Sequence, residues 1–301
     1  TISGEITHAR DQVFIIPVSI GFLPAIFFNN RSSTYGPFLS DLVIYKIKLS
    51  RARRMYTIPK QYISQAYIAK NQAPNHISLS IAKTICYNAY MNNTNSKELA
   101  KKLLQIKAIK LNAENPFTWT SGTISPIYCD NRMVLSYPEI RTFVKNALSE
   151  IIKDKFNNVE VVAGVATAGI PHAALVADTL NLPNCYVRPE PKKHGMKNQI
   201  EGHLPIGSKV VLVEDLIATG KSSFQSIQAI REAGSEVIGL VALFTYGFPD
   251  AKEAFEKENI PTYTISDFET LCKVAVEEKL LDEDKLQEVK NFAQNRDGWR
   301  K

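Results

Sequence analysis

The stretch Val210-Val-Leu-Val-Glu-Asp-Leu-Ile-Ala-Thr-Gly-Lys-Ser-Ser223 gathers the most chemically capable residues of this 301-residue chain. An apolar strand, expected over Lys209–Val213, runs into two adjacent acids, Glu214 and Asp215. A short turn of Leu216, Ile217, Ala218, Thr219, Gly220 and Lys221 then leads to a helix beginning near Ser222 and Ser223. Glycine lets the backbone pass close to a ligand. The amides of Thr219 to Ser223 would face outward at the helix N-terminus, where free N–H groups and the helix dipole favour a phosphate. The hydroxyls of Thr219, Ser222 and Ser223 add donors. Gly-Lys-Ser also brings to mind the ATP-binding P-loop, but the earlier glycine of that pattern falls on Asp215, whose carboxylate would repel a triphosphate. Two acids after a strand are commonly turn or cap residues. Beside a monophosphate cradle, carboxylates can instead accept hydrogen bonds from two adjacent sugar hydroxyls, so the combination asks for a ribose 5-phosphate.

A second group is basic. Arg188, Lys192, Lys193, His194 and Lys197 crowd one loop, Arg188–Gly202, between two strands. Single-sign clusters are often only solvated surface. The chemical alternative is neutralisation of a departing diphosphate, since cations that close over it lower the barrier electrostatically and keep water out. Histidine can add proton transfer or a charged hydrogen bond near neutral pH. A third segment, Phe117–Arg132, is aromatic and turn-rich, a structural hairpin by composition alone.

Together these pieces resemble the orotate phosphoribosyltransferases, type I phosphoribosyltransferases. Strand, Glu214-Asp215 and Ala218-Thr219-Gly220-Lys221-Ser222 match the phosphoribosyl-diphosphate motif, with Ala218 where Thr is usual. Lys193-His194-Gly-x-x-Asn-Gln-Ile-Glu-Gly202 matches the catalytic loop, which separates orotate enzymes from hypoxanthine- and adenine-specific relatives; Pro189 stands where a basic residue is common. Phe117-Thr-Trp-x-Ser-Gly and Ser125-Pro-Ile-Tyr-Cys-Asp-Asn-Arg132 match the hood over the base, without the Lys that some members place at Thr120 and many at Ile124. Val165-Ala-Thr-Ala-Gly-Ile-Pro171 matches the turn after the first core strand, where Gly169 and nearby amides would approach the diphosphate.

The resemblance implies transfer of 5-phosphoribosyl from phosphoribosyl diphosphate to orotate in pyrimidine synthesis. It implies Mg²⁺ carried by the diphosphate rather than by protein ligands, and a homodimer whose loop reaches the neighbouring site. Arg188, Lys192, His194 and Asp215 take the catalytic roles, and Glu214 to Ser223 bind the donor. A purine-base transferase is the near alternative. A non-catalytic sensor of phosphoribosyl diphosphate using a basic arm on nucleic acid is the distant one, and retention of Arg188, Lys192 and His194 argues against it.

The elements that must position these residues are expected to alternate. Helices are expected over 138–154, Pro171–Leu180, Ser222–Ala233, Asp250–Lys257, about 267–279 and about 283–295. Strands are expected over Val159–Val165, Cys185–Val187, Lys209–Val213, Glu236–Phe244 and Thr262–Ile265. Val- and Ile-rich strands between helices imply an α/β fold with a parallel sheet covered on both faces and ligands beyond the carboxyl ends of its strands. An earlier helix, capped by Asn95 or Ser96, carries Leu99, Leu103 and Ile106. The enzyme then spans 91–301, with a hood over about 91–136 and a core over about 137–301.

Residues 1–90 are unlike the rest. They hold ten Lys and Arg against three acids, whereas residues 91–301 hold 26 and 27. The basic excess therefore belongs to the first third, and the remainder lacks the footprint of a nucleic-acid binder. The uncharged segment Val13–Phe28 is broken by Pro17, Gly21 and Pro24, short of the ~20 apolar residues that a membrane helix needs. A targeting leader is an alternative. The favoured expectation is a poorly ordered or non-native extension ahead of Met91, which would serve as a natural start. Four dispersed cysteines fit a reducing, cytoplasmic setting rather than a disulfide framework or zinc site.

Overall fold

The computed structural model describes residues 45–48, 55–58, 93–119, 121–190 and 199–300. The chain divides into two compact units, Thr1–Lys60 and Gln61–Lys301. In the first, β1 (Tyr45–Lys48) and β2 (Met55–Ile58) form an antiparallel pair with Tyr45 opposite Ile58. This regular pair lies inside the stretch expected to be irregular. Val13–Phe28 and Met91 lie outside the described residues.

The second unit includes α1 (residues 93–105). Asn95 and Ser96 fall inside this helix rather than capping it, and the Ser96 hydroxyl donates to Ser266 Oγ at 3.3 Å. The hood follows. Its strand β3 (Ile109–Leu111) pairs antiparallel with β6 (Ile127–Cys129), and between them β4 (Phe117–Thr118) pairs with β5 (Ile124–Ser125). A 3₁₀ helix, Asn131–Ser136, leads into α2 (Pro138–Lys155), which buries Ile140, Val144, Ala147, Leu148 and Ile152 at helical spacing.

The core then runs β7 (Val161–Val165), α3 (Gly169–Leu180), β8 (Asn184–Val187), β9 (Ile200–Glu201), β10 (Lys209–Ile217) and α4 (Lys221–Glu232). It closes with β11 (Glu236–Thr245), α5 (Pro249–Lys257), β12 (Thr262–Asp267), α6 (Phe268–Glu277) and α7 (Glu283–Gln294). The sheet order is β12-β11-β10-β7-β8-β9. Its neighbours are parallel except for the edge strand β9, which pairs antiparallel with β8. All five residues of β7 are buried, as a strand covered on both faces requires.

One apolar cluster unites the hood, α1, α2, α3, α6 and α7 on one face of the sheet; the other lies under α4 and α5 and includes Ile227, Ile230 and Phe255. Aromatic rings join the hood to the carboxyl end of the molecule. The Trp119 ring lies 5.2 Å from Tyr246 and 5.6 Å from Phe292, and Phe292 lies 5.7 Å from Trp299. Among the described residues no helix is long and apolar enough to cross a membrane.

Two boundaries differ from expectation in a way that matters. Strand β10 continues through both acids to Ile217, keeping register with β11 as Glu214 faces Ala242 and Ile217 faces Thr245. Helix α3 starts at Gly169, so Pro171 sits within its first turn, where a proline removes no helical hydrogen bond. The strand order reverses between β7 and β10, placing the turns after both strands on the two sides of one crevice.

Candidate active site

The end of β10 is held by its neighbour. The Ile217 carbonyl accepts from the Tyr246 amide at 3.1 Å and from Thr245 Oγ1 at 3.2 Å. The chain then turns through Ala218 and Thr219 to Gly220, the N-cap of α4, at φ 77°. That conformation favours glycine, and a Cβ there would also stand 3.0 Å from the rings of Phe224 and Phe255. The first amides of α4 thus open onto the carboxyl end of the sheet, the arrangement that binds phosphate. Ser223 is 1% exposed, and its hydroxyl has no hydrogen-bond partner among the described residues. A buried hydroxyl in that state favours an incoming acceptor.

The two acids are not equivalent. Glu214 is buried; Oε1 accepts from the Asp215 amide and Oε2 from the Ser222 hydroxyl, both at 3.1 Å. Its carboxylate therefore ties the end of β10 to the start of α4. Burial and then the adjacent Asp215 push the Glu214 carboxyl up, towards holding a proton. Asp215 is half-buried. Burial raises its carboxyl too, while the contact with Glu214 and the Arg132 charge draw it back down. The Asp215 carbonyl accepts from Asn131 Nδ2 of the hood at 2.8 Å.

Across the crevice, residues 166–168 lead into α3. A Cβ on Gly169 would fall 2.3 Å from the Val213 carbonyl oxygen and 3.3 Å from Glu214 Cα. The close approach that demands glycine here is to β10 itself. One turn on, His172 is buried and its Nε2 has no hydrogen-bond partner among the described residues; burial pushes its imidazole down to about 4.

The basic segment is described only at its stem. The Arg188 amide donates to the Gln199 carbonyl at 2.9 Å, Gln199 Nε2 returns a bond to the Arg188 carbonyl at 2.8 Å, and the Arg188 guanidinium meets Glu201 at 3.4 Å. Lys192, Lys193, His194 and Lys197 lie outside the described residues, as does Thr120 of the hood. Ile124 is exposed on β5.

The structure thus brings together Glu214, Asp215, Leu216 to Ser223 and the turn before Gly169. It ties to them Cys129 and Asn131, which the sequence reading placed only in the hood over the base, and adds Tyr246, to which it gave no part. Asn131 and Asp215 are 84 residues apart, and no local pattern announces that contact.

Among the described residues no group of three or more His, Cys, Asp or Glu side chains gathers to hold a metal ion. The carboxylates near this turn are Glu214, already engaged with Ser222, Asp215, and Asp130, which accepts from the Arg132 amide. That donor set suits a hard cation such as Mg²⁺ that keeps waters and phosphate ligands.

A phosphate-cradling turn behind paired acids, at the switch point of a hooded parallel sheet, defines a phosphoribosyl-transferring class, and residues 131–274 match the family model of the phosphoribosyl transferase domain. A curated relative, the orotate phosphoribosyltransferase of Bacillus pumilus, is 53% identical over 198 residues, which are 66% of this chain and 93% of that protein. The chain belongs to the orotate phosphoribosyltransferase family. Among solved structures, orotate phosphoribosyltransferase from Aeropyrum pernix aligns at 32% identity and TM-score 0.52, covering 58% of this chain and 96% of its own. The UMP synthase of Leishmania donovani aligns at 26% identity and TM-score 0.58 over 73% of this chain, which spans about half (47%) of that longer one.

Proposed function

We propose that this chain transfers the 5-phosphoribosyl group of phosphoribosyl diphosphate to orotate, giving orotidine 5′-monophosphate and diphosphate, as a pentosyltransferase of cytosolic pyrimidine synthesis. The observation that carries the reading is the cradle itself. Thr219 to Ser223 present amides and hydroxyls at the N-terminus of α4, beside two acids fixed at the end of β10. The donor's 5-phosphate would occupy that helix end, and Asp215 would accept from the ribose hydroxyls. Glu214 would support it through the Ser222 and Asp215 bonds, or exchange Ser222 for a sugar hydroxyl.

In the reaction the bond from C1 to the diphosphate oxygen breaks, the electron pair leaves with the diphosphate, and a ring nitrogen of orotate bonds to C1 while its own proton passes to the departing diphosphate or to solvent. As the sugar becomes cationic, an ionised Asp215 below it is stabilising. Arg188, Lys192 and His194 would meet the charge accumulating on the leaving group, with His194 able to donate a proton. Mg²⁺ carried in on the diphosphate would supply further positive charge there, and Asp215 would be the carboxylate of this chain facing that side of the site without serving as a dedicated ligand. The hood would cover the flat base. A homodimer, with the basic segment of each protomer completing the other's site, extends the same reading. The deciding experiment is a product assay with phosphoribosyl diphosphate, Mg²⁺ and, in separate reactions, orotate, uracil, hypoxanthine and adenine. Turnover with orotate alone is expected; turnover with a purine and none with orotate would replace this reading by the purine one.

A further inference from the structure

We propose that Asn131 is a positioning residue of the donor site: its side-chain amide, oriented by the Cys129 thiol, holds the backbone of Asp215 and thereby sets the acids that face the ribose. The inference rests on reading Glu214 and Asp215 as ribose acids.

Asn131 is a polar residue with 1% of its surface exposed, at the start of the 3₁₀ helix that ends the hood. Both ends of its amide are engaged. Nδ2 donates to the Asp215 carbonyl at 2.8 Å, and Oδ1 accepts from the Cys129 thiol at 3.3 Å. The second contact decides which way round the amide sits, because only the oxygen can accept from the thiol. Asp215 needs such support. Strand β7 accompanies β10 only as far as Val213, and the amide arrives two residues beyond that point. On that side the hood takes over from β7, while β11 stays paired with β10 on the other.

The contact also joins two halves of the site. Cys129 lies against the Tyr246 hydroxyl, and the Tyr246 ring packs on Trp119 of the hood. The same Tyr246 donates its amide to Ile217 at the end of β10. Hood and ribose acids are therefore fixed by one network, and a displacement of a reacting group by about 1 Å can cost ~10²-fold in rate. A single buried hydrogen bond to a carbonyl is a smaller lever, on the order of tenfold.

The test uses the full chain, with donor affinity measured by calorimetry with phosphoribosyl diphosphate and Mg²⁺, and kcat and KM measured for each substrate. Asn131→Leu removes both hydrogen bonds while keeping the branched skeleton of the side chain. It is expected to weaken donor affinity about tenfold and to lower kcat, with little change in the KM for orotate. Cys129→Ala should move both quantities the same way by a smaller factor, and Cys129→Ser, which keeps a donor to Oδ1, should restore them. A purely structural role would lower the melting temperature of Asn131→Leu and leave donor affinity of the folded protein at the wild-type value; that result overturns the proposal. Should Asn131→Leu fail to fold, the Cys129 pair decides, and Cys129→Ala equal to wild type overturns it. Donor binding is read without any base present. A wild type that binds donor but ignores orotate would count against the proposed reaction and leave this test intact.

Discussion

At the scale of single residues, the site works because unlike neighbours divide the labour. Glu214 holds Ser222 and the Asp215 amide, whereas Asp215 is half-buried and, on the proposed reading, would be the acid that meets the sugar. Asp215→Asn keeps the shape and removes the charge. A loss of roughly 10²-fold or more in kcat/KM is expected, the scale of removing one preorganised electrostatic group; unchanged turnover with unchanged donor affinity would disprove the role. His172 gives a prediction about acid. Its imidazole is pushed from an ordinary 6.5 down to about 4 by burial. Between those values the unfolded chain binds a proton that the folded chain refuses, so stability falls as pH drops from about 6.5 towards 4 and this contribution levels off below. The loss amounts to as much as ~3 kcal/mol. Urea unfolding of wild type and His172→Leu at about pH 7 and about pH 5 checks it: the variant should lose less on acidification, and equal losses would clear His172 of any part. The chemistry at this scale was the most legible part of the sequence, because a glycine, hydroxyls and two acids within ten positions point to a ligand wherever they sit. The partners of those residues were not legible. Asn131 reaches Asp215 only once the hood has folded over the sheet.

At the scale of elements, legibility followed periodicity. Long helices such as α2 and fully buried strands such as β7 announced themselves through spacing and apolar runs. Strands of two residues, β4, β5 and β9, are too short to carry any period. The end of β10 was misplaced for a physical reason. Acids usually close a strand, but here Glu214 stays in the ladder because Ser222 and the Asp215 amide satisfy its buried carboxyl. The start of α3 was misplaced because proline marks a first turn, not a first residue. Gly169, just ahead of it, sets how closely α3 lies on β10. Its would-be Cβ meets backbone rather than a movable side chain, at 2.3 Å from the Val213 oxygen. Gly169→Ala must therefore push helix and strand apart, and overpacking of this kind costs about 1–3 kcal/mol. A domain of this size should lose about 2–4 °C of Tm per kcal/mol. Because Val213 adjoins Glu214, donor affinity should fall as well. Calorimetric melting and donor titration check both, and a variant with wild-type values would mean that α3 has room to spare.

At the scale of the whole molecule, the open matter is how much of the chain the enzyme needs. The compact units meet at Lys60/Gln61 in the sequence, whereas composition and charge change near Met91. The Bacillus pumilus relative is matched over 93% of its length by 66% of this chain, so about a third of this chain has no counterpart there. From α1 onward the second unit supplies its own interior: Leu99 and Leu103 are fully buried in the cluster that includes Leu148, Val176 and Phe292. The ring contacts among Trp119, Tyr246, Phe292 and Trp299 tie hood to carboxyl end within residues 119–299. Burying that surface is what offsets the entropy of ordering the chain, and none of these groups comes from residues 1–90. Chains starting at Gln61 and at Met91 are therefore both expected to fold, to form the same oligomer as the full chain and to match its kcat and KM for orotate. Light scattering, thermal melting and steady-state assays on the three proteins make the comparison. An active Gln61 chain beside an insoluble or inactive Met91 chain would assign residues 61–90 to the catalytic fold. Loss of activity in both would make the whole N-terminal third part of the enzyme. Salt-sensitive binding of nucleic acid by the full chain alone would instead give the ten basic residues of 1–90 a function of their own, since phosphate contacts weaken steeply with salt.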